Sequence, residues 1–185
     1  MSLHKALFLD RDGVINHEVG YLHRAEDVVW MDGIFPLCRT AISLGYKLVV
    51  VTNQSGIGRG LYTQDDFDRL MDWMRAEFVR QGAPLEAVYS CPYHPREGIG
   101  DFQREHEDRK PGPGMLLRAA RDLALDLSGS ILVGDRCSDI AAAHAAGLRR
   151  AFLLPGTEVG PCPLPYQPID SLAQLEQWLR QPPLS

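Results

Sequence analysis

Short apolar runs alternate with amphipathic stretches along most of the chain. Residues 6–9, 46–51, 87–89, 130–133 and 150–154 are runs of strand length. The second is β-branched and apolar on both faces, the pattern of a strand inside a parallel sheet. Between these runs the apolar period changes to that of a helix. Thr63 with Asp66 three residues later has the form of a capping box, Phe67, Leu70, Met71, Met74 and Phe78 follow at helical spacing, and Gly82 stops the run. Similar helices are predicted over 33–44, 113–125, 139–146 with Gly147 after it, and 172–179 before Pro182 and Pro183. The alternation predicts an α/β fold, a Rossmann-like parallel sheet sandwiched by helices through right-handed crossovers. Two long irregular segments, 11–32 and 91–111, interrupt it. Loops of that length are uncommon unless functional, so substrate contacts are expected there.

The 185 residues suit one domain with one sizeable core. With 45% hydrophobic and 23% charged residues, disorder is excluded as the main theme. The net charge of -5 argues against a general nucleic-acid partner, so an anionic substrate must be met by local positive charge. No run is long enough to cross a bilayer, and the first ten residues hold too short an apolar segment for a signal peptide. A cytoplasmic chain without a membrane partner is expected. Cys38, Cys91, Cys137 and Cys162 are scattered and too few for a disulfide framework, so reduced thiols are expected.

In open α/β sheets, ligands bind beyond the carboxyl ends of the strands. The first predicted strand runs into Asp10-Arg11-Asp12-Gly13 and the second into Thr52-Asn53-Gln54-Ser55. The fourth runs into Gly134-Asp135-Arg136, with Ser138 and Asp139 beyond, and the loop after the third delivers Arg109-Lys110. If these ends converge, several carboxylates, a hydroxyl and several cations share one crevice. Two carboxylates about 4 Å apart repel by roughly 4 kcal/mol at an effective dielectric of about 20. A hard divalent cation relieves such an oxygen-only cluster, Mg²⁺ being usual beside phosphate. With Mg²⁺ and Lys110 offsetting the charge, one carboxylate can attack phosphorus while another handles protons.

Competing readings are weaker. The Asp-x-Asp-Gly run lacks the third ligand of a calcium loop, because Val14 occupies the next odd position. No Gly-x4-Gly-Lys-Ser/Thr run exists, and Gly56-Ile57-Gly58-Arg59-Gly60 lacks the glycine spacing of a dinucleotide site.

Phe8-Leu9-Asp10-Arg11-Asp12-Gly13-Val14, Thr52-Asn53-Gln54, Arg109-Lys110-Pro111 and Val133-Gly134-Asp135 with Asp139 resemble the four motifs of haloacid-dehalogenase-like phosphatases. The order and spacing fit over residues 5–155. Gly20-Tyr21 and Gln54-Ser55-Gly56 are similar to the histidinol-phosphatase-related branch, and to the heptose 1,7-bisphosphate phosphatases within it. The resemblance implies a capless fold, because the segment between the first strand and first helix is too short for an inserted domain. It further implies Asp10 as nucleophile and Asp12 as general acid and base, with Thr52 and Lys110 holding the phosphoryl oxygens and Asn53 nearby. Mg²⁺ would be held by Asp10, the Asp12 main-chain carbonyl and Asp135, with Asp139 behind them. Glu18, Val19, Gly20, Tyr21, Gln54, Ser55, Arg109 and Arg136 would contact the sugar or its second phosphate.

The implied reaction is removal of the C7 phosphate of a D-glycero-D-manno-heptose 1,7-bisphosphate, in bacterial surface-polysaccharide precursor synthesis, by a monomer. Histidinol phosphate and nucleic-acid 3′-phosphates are alternative substrates. A phospho-aspartate signalling domain is the alternative of another class, disfavoured because a stable switch gains nothing from Asp12. Relatives also commonly carry zinc in the long loop, on a Cys-x-His and a Cys-x-Cys pair. Here the corresponding set is Cys91, His94, His106 and Asp108, with Tyr93 at the expected histidine, so the loop is expected to be zinc-free and held by packing and hydrogen bonds.

Overall fold

In the computed structural model, which describes residues 3–156 and 161–181, six parallel strands form one sheet in the order β3-β2-β1-β4-β5-β6. They are β1 (Lys5–Leu9), β2 (Tyr46–Asn53), β3 (Ala87–Cys91), β4 (Ile131–Gly134), β5 (Arg150–Leu153) and β6 (Gln167–Pro168). The helices are α1 (Ile34–Ser43), α2 (Ser55–Gly58), α3 (Gln64–Arg80), α4 (Gly114–Leu123), α5 (Cys137–Ala146) and α6 (Leu172–Arg180). Five strands and five helices follow the sequence pattern. The two-residue β6 and the single-turn α2 were beyond its reach, since neither spans a full period. Helix α5 begins two residues before the predicted Asp139. The prolines expected to end α6 lie outside the described residues.

Alternation along the central strands divides the core in two. Leu7, Leu9, Leu48 and Val50 face the layer containing Leu37, Met74, Phe78 and Leu175. Ala6, Phe8, Val49 and Val51 face Met115, Leu116, Ala119, Ile140 and Ala143. A strand buried on both faces must be apolar at every position, which explains the uninterrupted runs in β1 and β2. The Thr63–Asp66 capping box forms as predicted, each residue accepting from the other's backbone N–H.

From β1 the chain passes to β2 on one side, and β4 flanks β1 on the other. The adjacent C-terminal ends of β1 and β4 therefore border the crevice in which such sheets bind ligands. Between β1 and α1 the chain forms a single 3-10 turn at Ala25–Asp27 and the isolated bridges Asp12–Asn16 and Asn16–Trp30.

One sequence expectation is corrected. Cys137 and Cys162 are not reduced thiols but a disulfide, with Cα atoms 5.3 Å apart. The segment before β6 returns to the start of α5 and brings together residues 25 positions apart, a proximity that no local pattern encodes. Cys38 and Cys91 are free and buried.

Candidate active site

Asp10 directly follows β1, and its backbone N–H donates to Val133 O at 3.2 Å, tying the β1 exit to β4. Asp135 directly follows β4. Gly13 (φ 84°) lets the two turns touch: a β-carbon there would lie 2.1 Å from Asp135 Oδ2. Asp139 enters from the first turn of α5, where it accepts the Arg136 N–H at 3.1 Å. One carboxylate oxygen from each of Asp10, Asp135 and Asp139 lies within 4.8 Å of the others, the sole such grouping among the described residues.

Lys110 is the cation of this cluster. Its Nζ lies 3.1 Å from Asp10 Oδ1 and donates to Asp139 Oδ1 at 2.6 Å and Val51 O at 2.9 Å. Asn53, the last residue of β2, fixes the Lys110 backbone by donating to its carbonyl and accepting its N–H, both at 3.0 Å. Burial alone would lower the Lys110 ammonium, but Asp10 and Asp139 outweigh it and hold it above its ordinary value. Burial pushes Asp10 up to about 8; Lys110 opposes this, while Asp139, Asp135 and Asp12 add to it. Asp135 is pushed up to about 6, again first by burial and then by Asp139. Desolvation and mutual repulsion thus leave these acids short of positive charge. Asp135 Oδ1 is buried without a hydrogen-bond partner. An oxygen-only set with an unpartnered carboxylate oxygen fits a hard divalent cation.

Asp12 is held separately. Its carboxylate accepts from Arg11 Nε and Nη2, from Asn16 Nδ2 at 3.0 Å and from Gln54 Nε2 at 3.0 Å. Arg11 is fully buried, over the Phe67 ring, and also donates to Leu22 O. An isolated buried guanidinium would be costly; here Asp12 and the Leu22 carbonyl engage Nε and Nη2, while Nη1 is buried without a partner. Sequence reasoning gave Arg11 no role, because only the fold brings the Leu22 carbonyl and the Phe67 ring to it.

These groups border a cavity of about 710 Å³, whose lining includes Asp10, Asp12, Lys110 and Asp139. Glu18, Gly20, Tyr21, Asn53, Gln54, Ser55, Arg109 and Arg136 also line it. Thr52 is buried beside them, accepting from Gln54 Nε2 at 2.8 Å, whereas Val19 is exposed and does not line the cavity. Gln54 turns its amide inward. Arg136 lies 3.8 Å from Glu18, and Arg109 Nη1 donates to Tyr93 O at 3.1 Å.

Ser138 and His94 also line it, as do Arg59, Tyr62 and Glu97, to which sequence reasoning gave no role. Arg59 joins the two irregular segments across the mouth: it donates to Tyr21 Oη at 2.5 Å and pairs with Glu97 at 3.0 Å. Its place in the Gly-rich run was the only available signal.

The remaining set does not gather around one point. Cys91 is buried, His94 Nδ1 accepts the Glu97 N–H at 3.0 Å, His106 stacks on Tyr93 at 4.4 Å, and Asp108 pairs with Arg118 at 2.8 Å. Arg104 covers the Tyr93 ring at 4.1 Å, so the tyrosine at the expected histidine position organises this loop by stacking.

Carboxylates flanking a lysine at the mouth of a parallel sheet suit phosphoryl transfer. Comparison with known proteins agrees. A family model described as HAD-hydrolase-like matches residues 108–167. D-glycero-alpha-D-manno-heptose-1,7-bisphosphate 7-phosphatase of Burkholderia mallei is 54% identical over 81% of this chain and 79% of the relative. The corresponding beta-named enzyme of Vibrio cholerae is 40% identical over 94% of this chain and 95% of its own length. Among solved structures, the D,D-heptose 1,7-bisphosphate phosphatase from B. bronchiseptica, complexed with magnesium and phosphate, aligns with a TM-score of 0.78. It is 28% identical and the alignment covers 95% of this chain and 97% of that one. The chain belongs to the haloacid-dehalogenase-like hydrolases, in the branch of the heptose-1,7-bisphosphate 7-phosphatases. It is a phosphoric monoester hydrolase.

Proposed function

We propose that the protein hydrolyses the C7 phosphate of a D-glycero-D-manno-heptose 1,7-bisphosphate through an aspartyl-phosphate on Asp10. The observation that carries this is the contact of Lys110 with both Asp10 and Asp139, at 3.1 and 2.6 Å, at the edge of a cavity large enough for a sugar bisphosphate. Asp10 attacks phosphorus as the ester oxygen leaves, and Asp12 gives that oxygen its proton. Water then attacks the phosphorus, Asp12 takes a proton from it, and the Asp10–phosphorus bond breaks to release orthophosphate. Such acid–base assistance is typically worth about 10²–10⁴-fold. Lys110 and Thr52 hold the phosphoryl oxygens. Asp10, Asp135 and the Asp12 carbonyl would hold Mg²⁺, which when bound neutralises phosphoryl and carboxylate charge.

Arg109, Arg136 and the Glu18–Tyr21 segment face the rest of the substrate. The guanidiniums suit the distal phosphate, since a planar fork matches its oxygens. The α-anomer is the preferred substrate, on the strength of the 54% identity to an enzyme named for that anomer. The reaction belongs to heptose precursor synthesis in the cytoplasm, by a monomer that uses no zinc. The acidic net charge disfavours nucleic acid as a partner. No helix among the described residues is long and apolar enough to cross a membrane.

Phosphate release from both heptose bisphosphate anomers, histidinol phosphate and a DNA 3′-phosphate, with and without Mg²⁺, tests the reading. Mg²⁺-dependent turnover led by the α-bisphosphate is expected. A preference for the DNA end would overturn the substrate, and stoichiometric zinc in the purified protein would overturn the zinc-free loop.

A further inference from the structure

Tyr62 lies at the cavity wall but spends its hydroxyl on the protein. The Tyr62 hydroxyl donates to Gln54 Oε1. The other end of that amide, Nε2, donates to Asp12 Oδ2 at 3.0 Å and to Thr52 Oγ1 at 2.8 Å. Gln54 is buried, so its amide has no solvent with which to exchange these partners. A flipped amide would set its oxygen against the Asp12 carboxylate, and Tyr62 anchors the orientation that avoids this. Burial pushes the Tyr62 hydroxyl up to about 12, so it remains a donor at neutral pH.

The ring is fixed as firmly as the hydroxyl. It stacks on His23 at 5.3 Å, with an interplanar angle of 5°. It also packs over Gly56, where a β-carbon would lie 2.3 Å from Tyr62 Cε1 and 2.9 Å from Tyr21 Cδ1. Both Tyr21 and His23 belong to the 11–32 segment, which is thereby seated against the ring that anchors Gln54.

We propose that Tyr62 is a positioning residue: through the Gln54 amide it holds the Asp12 carboxylate in the orientation that takes a proton from water when the aspartyl-phosphate is hydrolysed. The side-chain groups around Asp12 on Arg11, Asn16 and Gln54 are all donors, an arrangement suited to a carboxylate in the base half of the cycle. In that half, the water oxygen bonds to phosphorus, the Asp10–phosphorus bond breaks, and the water proton passes to Asp12. Tyr62 touches no reacting atom and acts only through Gln54. The inference rests on the assignment of Asp12 as acid and base.

The test is the kinetics of Tyr62→Phe in the Mg²⁺-loaded enzyme with p-nitrophenyl phosphate. Its leaving group departs without needing a proton, so kcat/KM reports enzyme phosphorylation alone. The expected result is a kcat lowered about tenfold, a fraction of a full general-base contribution. KM should fall in parallel, kcat/KM should stay unchanged, and a burst of one nitrophenolate per enzyme should appear. Gln54→Leu, which also frees Thr52, should lower kcat at least as far, with the double variant no worse than Gln54→Leu alone. A loss in kcat/KM without a burst would make Tyr62 merely structural and overturn the proposal, as would kinetics equal to the parent's. Asp12→Asn separates the two levels. If it turns over like the parent, the assignment of Asp12 fails and takes the proposal with it. If it is crippled while Tyr62→Phe is unaffected, only the positioning role fails.

Discussion

Asn53 and Lys110 are joined by a reciprocal pair of 3.0 Å hydrogen bonds between the asparagine amide and the lysine backbone. The pair fastens the end of the 91–111 segment to the end of β2, and so sets where the Lys110 ammonium meets Asp10 and Asp139. Asn53 lines the cavity, yet both ends of its amide are engaged by the protein. Asn53→Ala is expected to lower kcat by up to about 10²-fold, the scale of an ångström-sized misplacement of a reacting group. Steady-state kinetics decide the matter: a rise in KM at constant kcat would make Asn53 a substrate contact instead.

Gly13→Ala should weaken Mg²⁺ binding about tenfold or more, the usual scale for disturbing a group that orients a metal ligand. The added methyl would lie 2.1 Å from Asp135 Oδ2, in a backbone conformation with φ of 84° that favours glycine. Isothermal titration of the metal reads this without turnover. Unaltered affinity would show that Asp135 has room to move.

Metal binding and pH are linked through the same acids. Asp10 and Asp135 are pushed up to about 8 and about 6, so the native chain binds their protons more tightly than the unfolded chain does. Their contribution to metal-free stability is therefore complete below about pH 4 and is lost as pH rises through about 6 to 8. A divalent cation replaces those protons. The increase in Tm on adding Mg²⁺ should be larger at about pH 8 than at about pH 5. Thermal melts giving an equal increase at both would place the metal elsewhere.

The Cys137–Cys162 bond predicts two thiols per chain, Cys38 and Cys91, when the protein is denatured without reductant. Four should appear after reduction, the full cysteine content of the chain. Closing the intervening loop stabilises the fold by about 3.5 kcal/mol on the chain-entropy account. Reduction should therefore lower Tm, and four thiols before reduction would show that the bond does not form.

Much of the site could be read from the chain because its chemistry sits at strand ends. A parallel strand buried on both faces is written as an apolar run, and the polar residues ending it mark the ligand crevice. Asp10, Thr52, Asn53 and Asp135 were located by that rule. Lys110 came from the length of its loop and the shared motif. Arg59, Tyr62 and Arg11 were not legible in the same way. Each is a common residue beside a turn, and much of its meaning comes from partners the fold brings to it: Glu97 for Arg59, Leu22 and Phe67 for Arg11, and Gln54 and His23 for Tyr62.

Local periodicity and turn chemistry by themselves determined the class of fold, most of its elements and the acids that close its strands, because those signals act between near neighbours. Only the tertiary structure decided that Gln54 faces inward to Asp12 and Tyr62, that Tyr93 stacks on His106, and that Cys137 meets Cys162. Such contacts depend on how the crossovers return separate segments to the same edge of the sheet, and on what each buried polar group finds there to satisfy it.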